Sequence, residues 1–330
     1  MTGRRETRPF RRIRAMKKQI DINFIGFWGS FDKQDNMLFN ILKERYDVRI
    51  SEKPDYLFVS PLGRMYNYMQ YDCIRILYAG EEITPDFNCF DYAIGFDFLE
   101  FGDRYLRYPF CFYSANGPWH ADALTRDEAY ELLKKKDIFC NLIYWEDSIG
   151  GKRTQLFNAI SAYKPVRSDG RLLNTVGGNG ISYREKWEIL RRSKFTIACE
   201  GCSYPGVVTE KMTMPLAAHS VPVFYGNERI CEEFNADAFV NCHAYPDPDA
   251  LAQRIRELDG DDEQYLQMLT SAPLVNDGYA ADLYERLKAF LFHIFDQDPD
   301  EAKRRVDSVI SNNYAKNYKR FMRISNILHF

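Results

Sequence analysis

Short apolar runs rich in β-branched and aromatic residues alternate along this chain with stretches whose apolar positions recur at helical spacing. Asp21–Phe27, Tyr56–Ser60, Ile74–Ala79 and Tyr92–Phe96 predict strands. Met37–Tyr46, with Leu38, Ile41, Leu42 and Arg45 at helical spacing, predicts a helix. Pro54, Pro61-Leu62-Gly63 and Thr84-Pro85-Asp86 punctuate these runs as turns. Strands that alternate with helices build parallel sheets, so the first half reads as one open α/β unit.

A charged helix, Arg126–Lys136, ends at a lysine run and is followed by a buried strand, Ile138–Tyr144, so a boundary is expected near residue 136. The alternation then resumes. Arg153–Tyr163, Tyr183–Arg192 and Thr209–Ala218 predict helices, and Phe195–Cys199, Val221–Tyr225 and Ala238–Cys242 predict strands. Asp247–Leu258 and Tyr279–Phe295 predict amphipathic helices that close the second half. At 330 residues the chain is more than twice the usual domain length of roughly 150, which fits two α/β domains sharing a cleft. The expected partition is a basic tail (1–20), two α/β domains (21–136 and 137–290) and a basic amphipathic helical tail (291–330).

The net charge of −3 hides a strong asymmetry: residues 1–20 carry +7, residues 301–330 carry +5, and the body between them carries −15. An acidic body with basic ends does not suit a nucleic-acid-coating surface. The longest uncharged run, Met212 to Asn227, is shorter than the roughly 20 residues of a membrane span and is broken by Pro215 and Pro222. No apolar signal core follows the basic N-terminus, and eight cysteines are too sparse for a disulfide scaffold. A cytoplasmic protein is expected. The C-terminal segment mixes Lys303, Arg304, Arg305, Lys316, Lys319, Arg320 and Arg323 with Tyr314, Tyr318, Phe321 and Ile324. It reads either as an anchor for the inner face of an anionic membrane or as a helix docked on the acidic body.

The segment Lys194–Gly226 is the richest in candidate chemistry. It reads as strand, Gly/Pro loop (Tyr204-Pro205-Gly206), helix and strand. The start of that helix, near Thr209, would offer free backbone N–H groups to a diphosphate, with Lys211 adding a full charge. Glu210 suits hydrogen bonds from sugar hydroxyls rather than phosphate. From the residues alone, a capped helix with surface Glu and Lys is the favoured reading.

Two blocks of sequence resemble a known family, the α-1,3/4-fucosyltransferases of glycosyltransferase family 10, and especially its bacterial members. The first runs through Ile76-Leu77-Tyr78-Ala79-Gly80-Glu81, Thr84-Pro85-Asp86-Phe87-Asn88, Phe90–Asp97 and Asp103–Pro109. The second holds Lys194-Phe195, Glu200, Val208-Thr209-Glu210-Lys211, Ala217 and Val221-Pro222-Val223 with Gly226. The resemblance implies two facing Rossmann-like domains of GT-B type, an N-terminal one for a glycan acceptor and a C-terminal one for GDP-fucose. It implies an inverting transfer to a hydroxyl of GlcNAc or a related sugar in surface polysaccharide or lipopolysaccharide assembly, with no metal and no cofactor.

By the same resemblance Glu81 matches the general base, Arg153 a pyrophosphate arginine, and Glu210 and Lys211 the contacts to the donor's sugar and phosphate. Tyr78 matches a tyrosine near the base and counts with the donor-binding candidates. Trp28, at a predicted strand end, is the acceptor-side candidate. The chain departs from the family pattern at Gly201, where Asn is usual, and at Val207, where Tyr is usual. Those departures leave open a transferase of another GDP-linked sugar, or a GDP-sugar-binding protein without activity. Cys199-x-x-Cys202 and the acid pairs Asp247/Asp249 and Asp261/Asp262 carry weak metal signals, and the acids read better as helix caps.

Overall fold

The computed structural model describes residues 17–328 apart from 63–64, 115–116, 148–149 and 179. The basic positions before residue 17, expected as part of an N-terminal tail, lie outside the described residues. The first parallel sheet comprises β1 (Gln19–Ile25), β2 (Asp47–Ile50), β3 (Tyr56–Val59), β4 (Ile74–Tyr78), β5 (Tyr92–Gly95) and β6 (Tyr105–Arg107), in the order β2-β1-β3-β4-β5-β6. The second comprises β7 (Ile138–Leu142), β8 (Val166–Ser168), β9 (Ser193–Cys199), β10 (Val221–Tyr225) and β11 (Val240–Asn241), in the order β11-β10-β9-β7-β8. The two orders follow the same rule. In each, the second strand lies outside the first and the third returns to its other side. The strand order therefore reverses between β1 and β3 and again between β7 and β9, where open α/β sheets form ligand crevices at their carboxyl ends.

The connecting helices are α1 (Met37–Arg45), α2 (Arg126–Leu133), α3 (Lys152–Ser161), α4 (Tyr183–Arg192), α5 (Glu210–Ala217), α6 (Pro248–Gly260), α7 (Asp262–Thr270), α8 (Tyr279–Asp296), the single turn α9 (Pro299–Ala302) and α10 (Val309–Leu328). Several starts are written in the sequence. Thr125 with Glu128, and Ser182 with Glu185, form reciprocal capping boxes for α2 and α4. Asp247 and Asp261 cap α6 and α7, the role their acid pairs predicted.

One expectation is corrected. The helix at Tyr279–Phe295 is expected in the second half, but its buried face (Leu283, Leu287, Leu291, Ile294, Phe295) packs in the same cluster as Ile20, Ile22 and Phe58 of the first sheet and Leu38 of α1. Phe295 stacks on Tyr56 at 4.2 Å, and Tyr46 donates its hydroxyl to Asp296 at 2.6 Å. The reason is in the packing: the apolar face of α8 finds its partners on α1 and the first sheet, and burying each large side chain contributes about 1.5–3 kcal/mol.

The basic C-terminal segment begins by docking on the first half. The backbone N–H groups of Arg304 and Arg305 both donate to Asp91, and the Arg305 guanidinium reaches Asp91 and the Cys73 carbonyl. Along α10, Tyr314 donates to Asp86 and Lys319 to the Met69 carbonyl. Its opposite face, with Val309, Ile310, Phe321 and Ile324, is exposed. Among the described residues no helix is long and apolar enough to cross a membrane.

The halves meet through the Gly/Pro loop. Gly206 has φ +92°, and a Cβ there would lie 2.2 Å from the Phe96 carbonyl oxygen, so only glycine allows this approach. Beside it, the Tyr204 hydroxyl donates to Asp97 at 2.9 Å, Cys111 N–H donates to the Val208 carbonyl at 3.2 Å, and Thr213 donates to the Cys111 carbonyl at 3.3 Å.

Candidate active site

A cavity of about 460 Å³ opens at the strand-order reversal of the second sheet, between the carboxyl ends of β7 and β9. Its walls include Tyr144, Arg153, Lys186, Glu210 and Lys211. Three of these were expected at a site; Tyr144 and Lys186 were not.

The start of α5 is built differently from the sequence expectation. The carboxylate of Glu200, wholly buried, accepts both the N–H and the hydroxyl of Thr209 at 2.7 Å. Thr209 is the N-cap, and its hydroxyl oxygen accepts from Lys211 N and Nζ. An internal carboxylate thus occupies the end of the helix that the sequence offered to a diphosphate. Burial raises the Glu200 pKa, although Lys211 Nζ, 3.3 Å away, opposes it. Burial also works against ionising Glu210, but Lys211 and Lys186 outweigh it and hold that carboxyl below its usual range. Lys211 is held above the usual lysine range because Glu200 and Glu210 overcome its own burial.

Arg153, on the first turn of α3, is buried and its fork is largely engaged. It donates to the carbonyls of Glu146 (2.7 Å), Cys199 and Glu200 (both 3.2 Å), and its guanidinium lies 4.1 Å from the centre of the Tyr144 ring. It therefore braces the loops after β7 and β9 as well as lining the cavity. Lys186, on α4, has its pKa lowered by burial, which the charge of Glu210 only partly offsets. A lysine so placed favours an anion in the cavity. Tyr78, expected nearby, is buried in the first sheet instead. Its ring packs against Phe27, Phe110 and Tyr113, and it does not line the cavity.

Glu81 follows β4 and is exposed. Its pKa is raised by desolvation and then by the charge of Glu82, while Lys211 pulls it down and Glu210 and Glu200 push it up. Glu81 of the first half and the acid–base cluster of the second thus share one electrostatic field. Contact is direct next door: a Cβ at Gly201 would lie 2.4 Å from Glu82 Oε1, so the space of the family's usual Asn is taken by the Glu82 side chain. Val207 is buried against Leu57, Leu77 and Phe96 of the first half, so its side chain serves the junction between the sheets.

A second groove of about 650 Å³ adjoins the cavity and shares Tyr183, Glu210 and Met214 with it. Trp28 lies on its wall, edge-on to Phe110 and Tyr113 at 5.8 and 5.5 Å, with Trp119 and Trp187 also lining it. The weak metal signals find no support. Cys199 is buried with its thiol pKa pushed up by burial, and among the described residues no three His, Cys, Asp or Glu side chains gather as a metal site requires.

Two parallel sheets facing a cleft, with a cationic cavity at the reversal of the second, define the GT-B architecture of glycosyltransferases. The comparisons agree. Residues 22–114 match the model of the α-(1,3)-fucosyltransferase FucT N-terminal domain, and residues 133–270 match that of the glycosyltransferase family 10 (fucosyltransferase) C-terminal region. The chain belongs to glycosyltransferase family 10. An α-(1,3)-fucosyltransferase of Helicobacter pylori is 29% identical over 304 residues, covering 81% of this chain and 63% of that protein. The chain therefore spans less than two thirds of that relative. A crystal structure of an α1,3-fucosyltransferase superposes with a TM-score of 0.70 at 28% identity, covering 86% of this chain and 91% of that one. A structure of an α1,3-fucosyltransferase with GDP-fucose gives 0.68 at 25% identity, covering 90% and 94%.

Proposed function

We propose that this protein is an inverting α-1,3-fucosyltransferase that uses GDP-fucose to modify a hydroxyl of GlcNAc or a related sugar in a surface glycan. The observation that carries the reading is the position of Glu81, an exposed carboxyl with a raised pKa, within the field of Lys211 and Glu210 across the cleft. As the acceptor oxygen attacks the anomeric carbon, Glu81 takes its proton; the bond from that carbon to the GDP oxygen breaks on the opposite face, and GDP leaves with the electron pair. Lys211 and Lys186 meet the charge that develops on the diphosphate, and Arg153 supports them from the cavity floor. Glu210, kept ionised by its two lysines, accepts hydrogen bonds from the sugar. Trp28 belongs to the acceptor side, and Tyr78, beneath the aromatic wall, has no donor contact in this scheme. No metal or cofactor takes part.

Glu81→Gln tests it. Transfer of fucose is expected to fall by about 10²–10⁴-fold while GDP affinity is retained; normal turnover would sink the assignment. Gly201, with Glu82 in the space beside it, favours one second reading: transfer of a different GDP-linked sugar. A panel of GDP-sugars with products read by mass decides between the two.

The exposed face of α10, where Val309, Ile310, Phe321 and Ile324 lie beside Lys316, Arg320 and Arg323, supports peripheral binding at the cytoplasmic face of an anionic membrane. Flotation with anionic liposomes should separate full-length protein from one ending at residue 300; equal binding by both would remove this anchor.

A further inference from the structure

Glu200 is wholly buried, and no step of the transfer described above uses it. Its side chain is confined: a Cβ at Gly226 would lie 2.7 Å from Glu200 Cγ, so glycine leaves the carboxylate the slot it fills beside the end of β10. Oε1 accepts from Thr209 N–H and Oε2 from the Thr209 hydroxyl. The ammonium of Lys211 stands 3.3 Å from Oε2 and 3.1 Å from the Thr209 hydroxyl oxygen, which accepts from it. The other charged groups facing Glu200 come from three further directions: Lys186 on α4, Arg153 on α3, which donates to the Glu200 carbonyl, and Glu81 and Glu82 after β4, with Glu210 next to Lys211 on α5. The thiols of Cys111, Cys199 and Cys202 and the Tyr144 hydroxyl also face it, and burial keeps them neutral.

Among the described residues, three cations thus face four carboxylates before any ligand arrives. A nucleoside-diphosphate sugar adds a negative charge on each phosphate and draws on the same Lys211. Glu210 keeps Lys186 as a second partner, and Glu81 and Glu82 are exposed. Glu200, dry and confined, has neither outlet, and a buried carboxylate that loses its cation is neutralised by protonation.

We propose that Glu200 takes up one proton from solvent each time a diphosphate claims Lys211, and gives it back when GDP leaves. The proton settles on Oε2. Glu200 then donates to the Thr209 hydroxyl in the place that Nζ has left, the hydroxyl turns its own hydrogen the other way, and the bond from Thr209 N–H to Oε1 persists. The cap of α5 is kept in both states while Lys211 is released to the ligand. Glu200 is thus a positioning residue that acts through Lys211, and the proposal rests on the glycosyltransferase reading above. Burial, which already raises the Glu200 pKa against the pull of Lys211, works in the same direction. Because the bound state holds the extra proton, donor affinity falls as pH rises through the interval between the free and bound values of Glu200, by up to about tenfold per pH unit.

Calorimetry of GDP-fucose binding without acceptor, in buffers of low and high ionisation heat between about pH 5 and about pH 8, counts the protons. Both phosphates of this probe are esterified, so neither titrates in that range. Uptake approaching one proton is expected in the parent protein. It should fall close to zero in Glu200→Gln, whose amide reproduces the donor and acceptor of the protonated side chain, and in Lys211→Gln, where Glu200 has no cation to lose. Lys186→Gln and Glu81→Gln should keep it. No uptake in the parent, uptake that survives Glu200→Gln or Lys211→Gln, or uptake that vanishes in Lys186→Gln or Glu81→Gln would overturn the proposal. The Lys211→Gln arm decides if Glu200→Gln does not fold. GDP-fucose that fails to bind where GDP binds would overturn the donor sugar alone, and GDP-mannose, equally free of a titrating phosphate, then takes its place in the same measurement.

Discussion

Arg107, on the edge strand of the first sheet, grips Glu233 of the second half with both prongs of its guanidinium, Nη1 to Oε1 at 2.5 Å and Nη2 to Oε2 at 2.9 Å. Glu233 is 2% exposed, and Tyr279 at the start of α8 donates to the same carboxylate. Arg107 also donates to the Gly206 carbonyl, so one side chain ties together the sheet edge, the Gly/Pro loop and the final third of the chain.

Removing one partner of this pair leaves a buried charge alone. Glu233→Ala is expected to cost about 3–5 kcal/mol. The double variant Arg107→Met/Glu233→Leu should cost clearly less than the sum of its single changes. Thermal and urea denaturation measure both, and simple additivity would show that the pair is not coupled.

The acid side of the pH–rate profile follows from Glu81. Its raised pKa places the acid limb of kcat/KM above the ordinary carboxylate value of about 4.3, because the base works only when ionised. Glu82 contributes to that rise through like-charge repulsion. Glu82→Gln removes the repulsion, lowers the Glu81 pKa and should move the limb to lower pH. A limb that stays put or moves upward would show that another group controls it.

Lys186→Gln and Lys211→Gln should each weaken GDP binding by about ten- to a hundredfold, the worth of one charge-assisted hydrogen bond. The two differ in their pH dependence. Lys186 has its pKa lowered by burial and Lys211 has its pKa raised by Glu200 and Glu210, so Lys186 is the first to lose its proton as pH rises. The alkaline decline in GDP affinity should therefore begin below the ordinary lysine value of about 10.4 and disappear in Lys186→Gln. Calorimetric titration across that range checks it.

Gly206→Ala should loosen the junction without touching the cavity. The new methyl group meets the backbone of Phe96, which cannot swing aside as a side chain would, and the positive φ adds strain. A lower melting temperature and faster proteolysis between the halves are expected. A variant as stable as the parent would show that the loop relaxes freely.

The alternation of strands and helices was legible wherever strands are buried on both faces: all four residues of β3 and of β5 are buried and read as continuous apolar runs. The strands that escaped notice, β2, β6 and β8, are all sheet edges. Edge strands keep one side in solvent, and Asp47, Arg49, Arg107 and Arg167 break their apolar pattern. Glu210 and Lys211 were legible because they lie within one short motif, whereas the buried role of Glu200 in the same motif was not. Lys186 sits in a helix rich in charge, and only the fold turns it toward the cavity. Its one local signal is the Ser182–Glu185 capping box, which fixes where that helix begins.

The return of α8 to the first sheet has a consequence for the order of synthesis. A ribosome delivers β1 to β6 long before residue 279, so the apolar face that Leu283, Leu287, Leu291 and Phe295 finally cover stays bare while the whole second half is being made. The nascent first sheet has to wait, shielded by a chaperone or by transient contacts, for a helix encoded some two hundred residues downstream of α1. Fragments cut at residue 136 should therefore be sticky rather than independent, because the unit that folds first in sequence is completed last in time.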